Sequence, residues 1–170
     1  VLFALERLGI SAIVTDDPEL LGSSDKVIFP GVGEASTAMN YLNERHLDKL
    51  IISLKQPVLG ICLGMQLMCN YSEENDTTCL GIFETTVKKF TGNLKVPQIG
   101  WNTIATKTNP LFKETTGTPY CYFVHSYYAD LCDNTIAETE YSIPFSSALA
   151  KDNFYGVQFH PEKSATTGEQ

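Results

Sequence analysis

Two short stretches of this chain hold residues whose types and spacing could do chemistry together. The first is Gly60-Ile61-Cys62-Leu63-Gly64-Met65-Gln66, which follows the apolar run Pro57-Val58-Leu59 directly. A buried strand that ends in Gly-x-Cys-x-Gly and passes straight into a helical pattern describes a nucleophile elbow, a sharp turn presenting a reactive side chain at a helix start. The two glycines fit, because such a turn brings backbones closer than a β-carbon permits. Unpaired N–H groups and the positive dipole end of the helix stabilise a thiolate, and such sites lower a cysteine pKa from about 8.5 to roughly 3.5–7.5. Gly-x-Cys-x-Gly alone fits a buried structural cysteine equally well, so Cys62 needs partners.

A thiol nucleophile needs a base, and the base needs a third group to fix its tautomer. There are three histidines, His46, His125 and His160. His46 stands in a charged helical stretch and reads as a solvated residue. His125 follows a strand-like run and precedes Ser126-Tyr127-Tyr128. His160 lies in the second stretch, Gly156-Val157-Gln158-Phe159-His160-Pro161-Glu162. In extended chain, residues i and i+2 point the same way, so Glu162 can hold His160, with Pro161 restricting the backbone between them. Cys62, His160 and Glu162 are the candidate catalytic set.

Acyl chemistry also needs donors for an oxyanion. The N–H of Leu63, just after the nucleophile, is one candidate. The loop Pro30-Gly31-Val32-Gly33 is a second, since it follows the Lys26 to Phe29 strand at the carboxyl edge of the sheet where doubly wound folds place their sites. A single donor of this kind is worth about 2.7–4 kcal/mol of transition-state stabilisation. The loop is too short and wrongly composed to cradle a phosphate. The five cysteines, Cys62, Cys69, Cys79, Cys121 and Cys132, form no zinc spacing, and no metal or cofactor is expected.

These residues must be positioned by regular elements. Ile10 to Thr15, Lys26 to Phe29 and Pro57 to Ile61 read as strands, and Glu34 to Asn43 and His46 to Lys55 as amphipathic helices. Apolar strands alternating with such helices predict an α/β fold, a doubly wound and mostly parallel sheet flanked by helices. From about Gly81 the pattern changes to short alternating segments that read as an added antiparallel hairpin region. With 170 residues, 43% of them hydrophobic, one domain over 1–170 is expected. The formal charge of −8 is scattered, which argues against nucleic acid or an anionic membrane as partner. No apolar run approaches the roughly 20 residues of a membrane span, and no charged-then-apolar leader is visible. An odd number of cysteines without a Cys-x-x-Cys pair points to a reducing cytoplasm.

With the elbow, His160-Pro161-Glu162 and Pro30-Gly31-Val32-Gly33 in hand, the chain resembles the class I glutamine amidotransferases, the triad-type glutaminases. Pro97-Gln98-Ile99-Gly100-Trp101-Asn102, Tyr122-Phe123-Val124-His125-Ser126-Tyr127 and His160-Pro161-Glu162-Lys163-Ser164 narrow the likeness to glutaminase subunits of imidazole glycerol phosphate synthases. The resemblance implies that Cys62 attacks the side-chain amide of L-glutamine, His160 protonates the ammonia and then activates water, and Glu162 orients His160. It implies oxyanion donors at Leu63 and the Gly31-Val32 segment, and substrate contacts from Gln66, Ser126 and Tyr127. It also implies a heterodimer with a (β/α)8-barrel cyclase of histidine biosynthesis, which receives the ammonia, and places Trp101, Asn102, Tyr122 and Lys163 toward that partner. The competing readings are a core or hairpin aromatic for Trp101, a solvated lysine for Lys163 and an exposed helix residue for Gln66. The helical pattern around Val1 predicts that the chain lacks the family's first strand, and a final helical segment after Ser164. A glutaminase serving anthranilate or aminodeoxychorismate synthesis, and a catalytically silent module of the same fold, are the competing readings.

Overall fold

The apolar run that leads into Cys62 is a central strand of the main sheet. The structure, a computed structural model, describes residues 1–170. In chain order the first half comprises helices α1 (Leu2–Arg7) and α2 (Pro18–Ser23), strand β1 (Val27–Gly31), helices α3 (Ala35–Glu44) and α4 (Leu47–Ser53), strand β2 (Val58–Cys62) and helix α5 (Leu63–Leu67). There follow strands β3 (Cys69–Ser72), β4 (Thr77–Thr78), β5 (Phe83–Lys89), β6 (Gln98–Thr103), β7 (Ala105–Thr106), β8 (Tyr120–His125), β9 (Tyr127–Ala129), β10 (Thr135–Tyr141), β11 (Ile143–Lys151) and β12 (Phe154–Val157), and then helix α6 (Ala165–Glu169).

The order of the main sheet is β1-β2-β12-β11-β9-β5-β3-β4, with β10 and β7 joined through β11. β2 lies between β1 and β12 and runs parallel to both. Val58 and Ile61 are buried, as a strand covered on both faces requires. The side of the sheet that bears the elbow is thus parallel, and β11, β9 and β10 extend it by antiparallel pairing. A separate two-stranded antiparallel sheet, β6 with β8, is part of the added hairpin region that the alternating segments predict.

Helix α3 starts where Glu34 accepts hydrogen bonds from the N–H groups of Ser36 and Thr37, a side-chain cap for otherwise orphan donors. It buries Ala35, Met39 and Leu42, at helical spacing, into the core that also takes Leu47 and Ile51 of α4. The predicted strand Ile10–Thr15 is not one. Its backbone has no neighbouring ladder, and Ile13 and Val14 stand 77% and 82% exposed. A β-prone run becomes a strand only where another strand takes its N–H and C=O groups. No helix is long and apolar enough to cross a membrane.

Candidate active site

Cys62 ends β2 and caps α5 with φ 55° and ψ −112°, a left-handed conformation that is costly for any residue with a β-carbon. Close packing holds it there. A β-carbon on Gly64 would lie 1.8 Å from the Phe29 carbonyl oxygen, and one on Gly60 would lie 2.8 Å from the Met65 nitrogen. From β1, a β-carbon on Gly31 would meet the Gly64 nitrogen at 2.8 Å, and from β12 one on Gly156 would meet Met65 Cγ at 2.4 Å. The glycines of Gly-x-Cys-x-Gly are therefore required by contact: β1 and β12 press against the elbow with no room for side chains.

His160 follows β12. Its N–H donates to the Tyr122 carbonyl at 2.9 Å, and its own carbonyl accepts from Ser164 Oγ at 2.6 Å. Ser164 Oγ also accepts from the Tyr122 N–H at 3.0 Å, so one buried hydroxyl ties the histidine turn to β8. His160 Nδ1 lies 2.9 Å from Glu162 Oε1. The sequence predicts this pair from extended alternation, but Pro161–Lys163 forms a 3₁₀ turn, and Glu162 reaches back to the ring around that turn. Of the two ring nitrogens only Nδ1 is engaged by Glu162, and Cys62 lies close enough to act on the ring's ionisation.

Hydrogen bonding toward Cys62, and then toward Glu162, outweighs burial and raises the His160 pKa to about 9. Burial pushes the Glu162 carboxyl up, but hydrogen bonding from His160 and from its own backbone pulls it below the ordinary range. Both shifts favour a charged pair, imidazolium with carboxylate. His125 is the opposite case: burial above all depresses it to about 4, so its ring is neutral. Its Nδ1 sits 2.7 Å from the Tyr127 carbonyl, which can only accept, and its Nε2 sits 3.0 Å from the side-chain amide of Gln98.

Gly31 is the register partner of Cys62, so the chain leaving β1 passes beside the thiol. Val32 follows and is 87% exposed. Leu63 is buried in the first turn of α5. Gln66 is not an exposed helix residue: it is buried, and its Nε2 donates at 2.8 Å both to the Tyr127 carbonyl and to Gln158 Oε1. A substrate contact from Gln66 must then use its Oε1. Ser126, between β8 and β9, and Tyr127, which opens β9, are half-buried, and the Ser126 carbonyl accepts the Phe90 N–H at 3.0 Å. Sequence reasoning missed Gln158, which is fully buried with Nε2 3.7 Å from Cys62 Sγ. A glutamine between Val157 and Phe159 in an apolar strand was the available signal, because buried amides require partners.

On the β6–β8 sheet, Trp101 is 44% exposed, stacked on Tyr120 and edge-on to Tyr122, so the indole belongs to the surface. Lys163 is exposed on the turn beside β8. Asn102 points to the opposite face of β6 from Trp101, and its Nδ2 donates to the Glu140 carbonyl at 2.9 Å. Strand alternation separates these neighbours, so the structure does not bring Asn102 to the face that Trp101 presents.

A strand, a strained cysteine and a short helix lie beside a histidine–glutamate turn that follows the adjacent parallel strand. The family described as glutamine amidotransferase class-I matches residues 7–170, and the chain belongs to this family. It is similar to the imidazole glycerol phosphate synthase subunit HisH of Bacteroides thetaiotaomicron, 57% identical over 99% of this chain and 87% of the relative. The subunit of that name from Yersinia pseudotuberculosis is 48% identical over 100% of this chain and 88% of the relative. A solved structure of a glutamine amidotransferase, 20% identical, shares the fold with a TM-score of 0.71 over 98% of this chain and 86% of its own.

Proposed function

We propose that the chain is the glutaminase subunit of an imidazole glycerol phosphate synthase, hydrolysing L-glutamine with Cys62, His160 and Glu162. The observation that carries the reading is Cys62, held at φ 55° at the end of β2, beside the turn after the adjacent parallel strand β12 in which His160 Nδ1 lies 2.9 Å from Glu162 Oε1. The Cys62 thiolate attacks the side-chain amide carbon, forming a C–S bond and a tetrahedral oxyanion. N–H groups at Leu63 and in the Gly31-Val32 segment stabilise that oxyanion. His160 gives its proton to the departing nitrogen as the C–N bond breaks, and ammonia leaves. Neutral His160 then takes a proton from water, whose oxygen attacks the glutamyl thioester. The C–S bond breaks, glutamate forms and the thiolate returns. Glu162 keeps the ring oriented throughout, as the third member of a triad does. Gln66, Ser126 and Tyr127 hold the substrate.

The ammonia goes to a (β/α)8-barrel cyclase, which docks on the face around Trp101, Tyr122 and Lys163. Asn102 serves that interface by shaping β6 through its bond to Glu140. The high identity to HisH subunits over nearly the whole chain supports this acceptor over anthranilate or aminodeoxychorismate synthesis. The chain acts as one domain over 1–170, and a reduced Cys62 suits a cytoplasmic setting. Glutamate release, measured with the chain alone and with the cyclase carrying its own ligand, tests the reading. Turnover that rises with the liganded cyclase and vanishes in Cys62→Ser supports it; turnover in Cys62→Ser, or indifference to the cyclase, contradicts it.

A further inference from the structure

The mechanism above leaves one buried side chain against the reacting sulfur without a task. Gln158 is fully buried just beyond β12, and its Nε2 lies 3.7 Å from Cys62 Sγ. Which end of that amide faces the sulfur is decided by its neighbours. The Tyr127 carbonyl can only accept, so the atom of Gln66 lying 2.8 Å from it must be the nitrogen. That nitrogen has a second hydrogen, aimed at Gln158 2.8 Å away, and the atom receiving it must be Oε1. The remaining end of Gln158, facing Sγ, is therefore the N–H2 group. A backbone carbonyl thus sets the polarity of a two-glutamine relay that terminates on the nucleophile.

We propose that Gln158 is a further catalytic residue: it donates a side-chain N–H to the Cys62 thiolate and stabilises it, with Gln66 acting as the positioning residue that orients the donor. The proposal rests on Cys62 being the nucleophile. The protonated thiol has another partner, the Val124 carbonyl 3.8 Å from Sγ, which accepts S–H and repels a thiolate. Ionisation loses the Val124 contact and strengthens the one from Gln158, so the relay favours the charged form. A hydrogen bond to an ionised acceptor is roughly twice as strong as a neutral one. The titratable groups facing Cys62 are His160 and, behind it, Glu162; β1 brings only Gly31, β8 only the Val124 carbonyl and the neutral His125 beyond it.

The test is the pH dependence of iodoacetamide labelling, read at each of the five cysteines by peptide mass spectrometry in the full chain. Gln158→Met removes the donor at similar volume, and should raise the labelling midpoint of Cys62 by about one pH unit, roughly tenfold slower labelling below it. Gln158→Glu keeps the shape, faces the sulfur with an oxygen, and should raise the midpoint further. In the unaltered chain, the Gln158 side-chain amide proton resonance should shift as Cys62 ionises and lose that response in Cys62→Ala, a readout that needs no altered Gln158. Unmoved midpoints in both folded variants, or an amide proton indifferent to Cys62 ionisation, would overturn the proposal while leaving Cys62 as nucleophile. A Cys62 that labels no faster than Cys79 and Cys132 would overturn the nucleophile assignment and this proposal together.

Discussion

Two of the three histidines are pushed to opposite sides of neutrality. Burial keeps His125 neutral, with a pKa near 4, so it serves as a fixed hydrogen-bonding wedge between β6 and β9. His160 is held protonated, at about 9, by Cys62 first and Glu162 second. Replacing Cys62 by alanine should therefore lower the His160 pKa toward the ordinary imidazole range without moving His125, as read from the imidazole proton resonances. A His160 that titrates near 6.5 in the unaltered chain would contradict the coupling. Because folding raises the His160 pKa, its contribution to stability is full below about 6.5 and is lost as pH rises through about 9. Glu162 has the opposite sign: folding lowers its pKa, so its contribution is present above the ordinary carboxylate range and lost as pH falls through its lowered value. Glu162→Gln should accordingly lower the melting temperature most between about pH 5 and 7 and least above pH 9. It should also slow glutamine hydrolysis by about 10²–10⁴-fold, measured as glutamate release with the cyclase present.

At the scale of elements, the elbow is a packing problem solved with glycine. Gly64→Ala drives a β-carbon into the Phe29 carbonyl, and since that oxygen belongs to β1, the strand itself would have to move. The expected cost is at the upper end of the about 1–3 kcal/mol typical of overpacking, read as a lower urea midpoint. Cys62→Gly should do the reverse, stabilising by about 1 kcal/mol or more and raising that midpoint, because glycine adopts φ 55° without strain. A lower midpoint for Cys62→Gly would mean that the turn is not strained. The Gly-x-Cys-x-Gly spacing and the helical periods of α3 and α4 were legible because they are local, set by neighbours within a few residues. The buried amides of Gln66 and Gln158 were not, because their partners lie 61 and 92 residues away from Gln66. Ile10–Thr15 misled for the same reason in reverse: its apolar content is local, but a strand needs a ladder that nothing in the chain supplies. The His160–Glu162 pair was read correctly as neighbours, while the turn that joins them was not, since Pro161 suits both extended chain and the first position of a helical turn.

At the scale of the whole molecule, the β6–β8 sheet carries an exposed aromatic cluster next to the turn that holds His160 and Glu162. Trp101 packs edge-on against Tyr122, and the backbone of Tyr122 bonds both His160 and Ser164. A protein docking on the indole would press on the strand that holds the triad turn. Trp101→Ala should weaken cyclase binding by about 2 kcal/mol or more, the range of an aromatic hot spot, measured by titration calorimetry. It should leave the urea midpoint and the labelling of Cys62 nearly unchanged, because the side chain is already 44% exposed. Unchanged affinity would place the partner elsewhere. The central claim, that Cys62 is the nucleophile and His160 its base, is tested most directly by peptide mass spectrometry after exposure to a glutamine-mimicking electrophile. The account predicts one adduct, on Cys62, prevented by excess glutamine and slowed at least a hundredfold in His160→Asn, a factor within the usual range for a general base. An adduct on another cysteine, or an unchanged rate in His160→Asn, would contradict it.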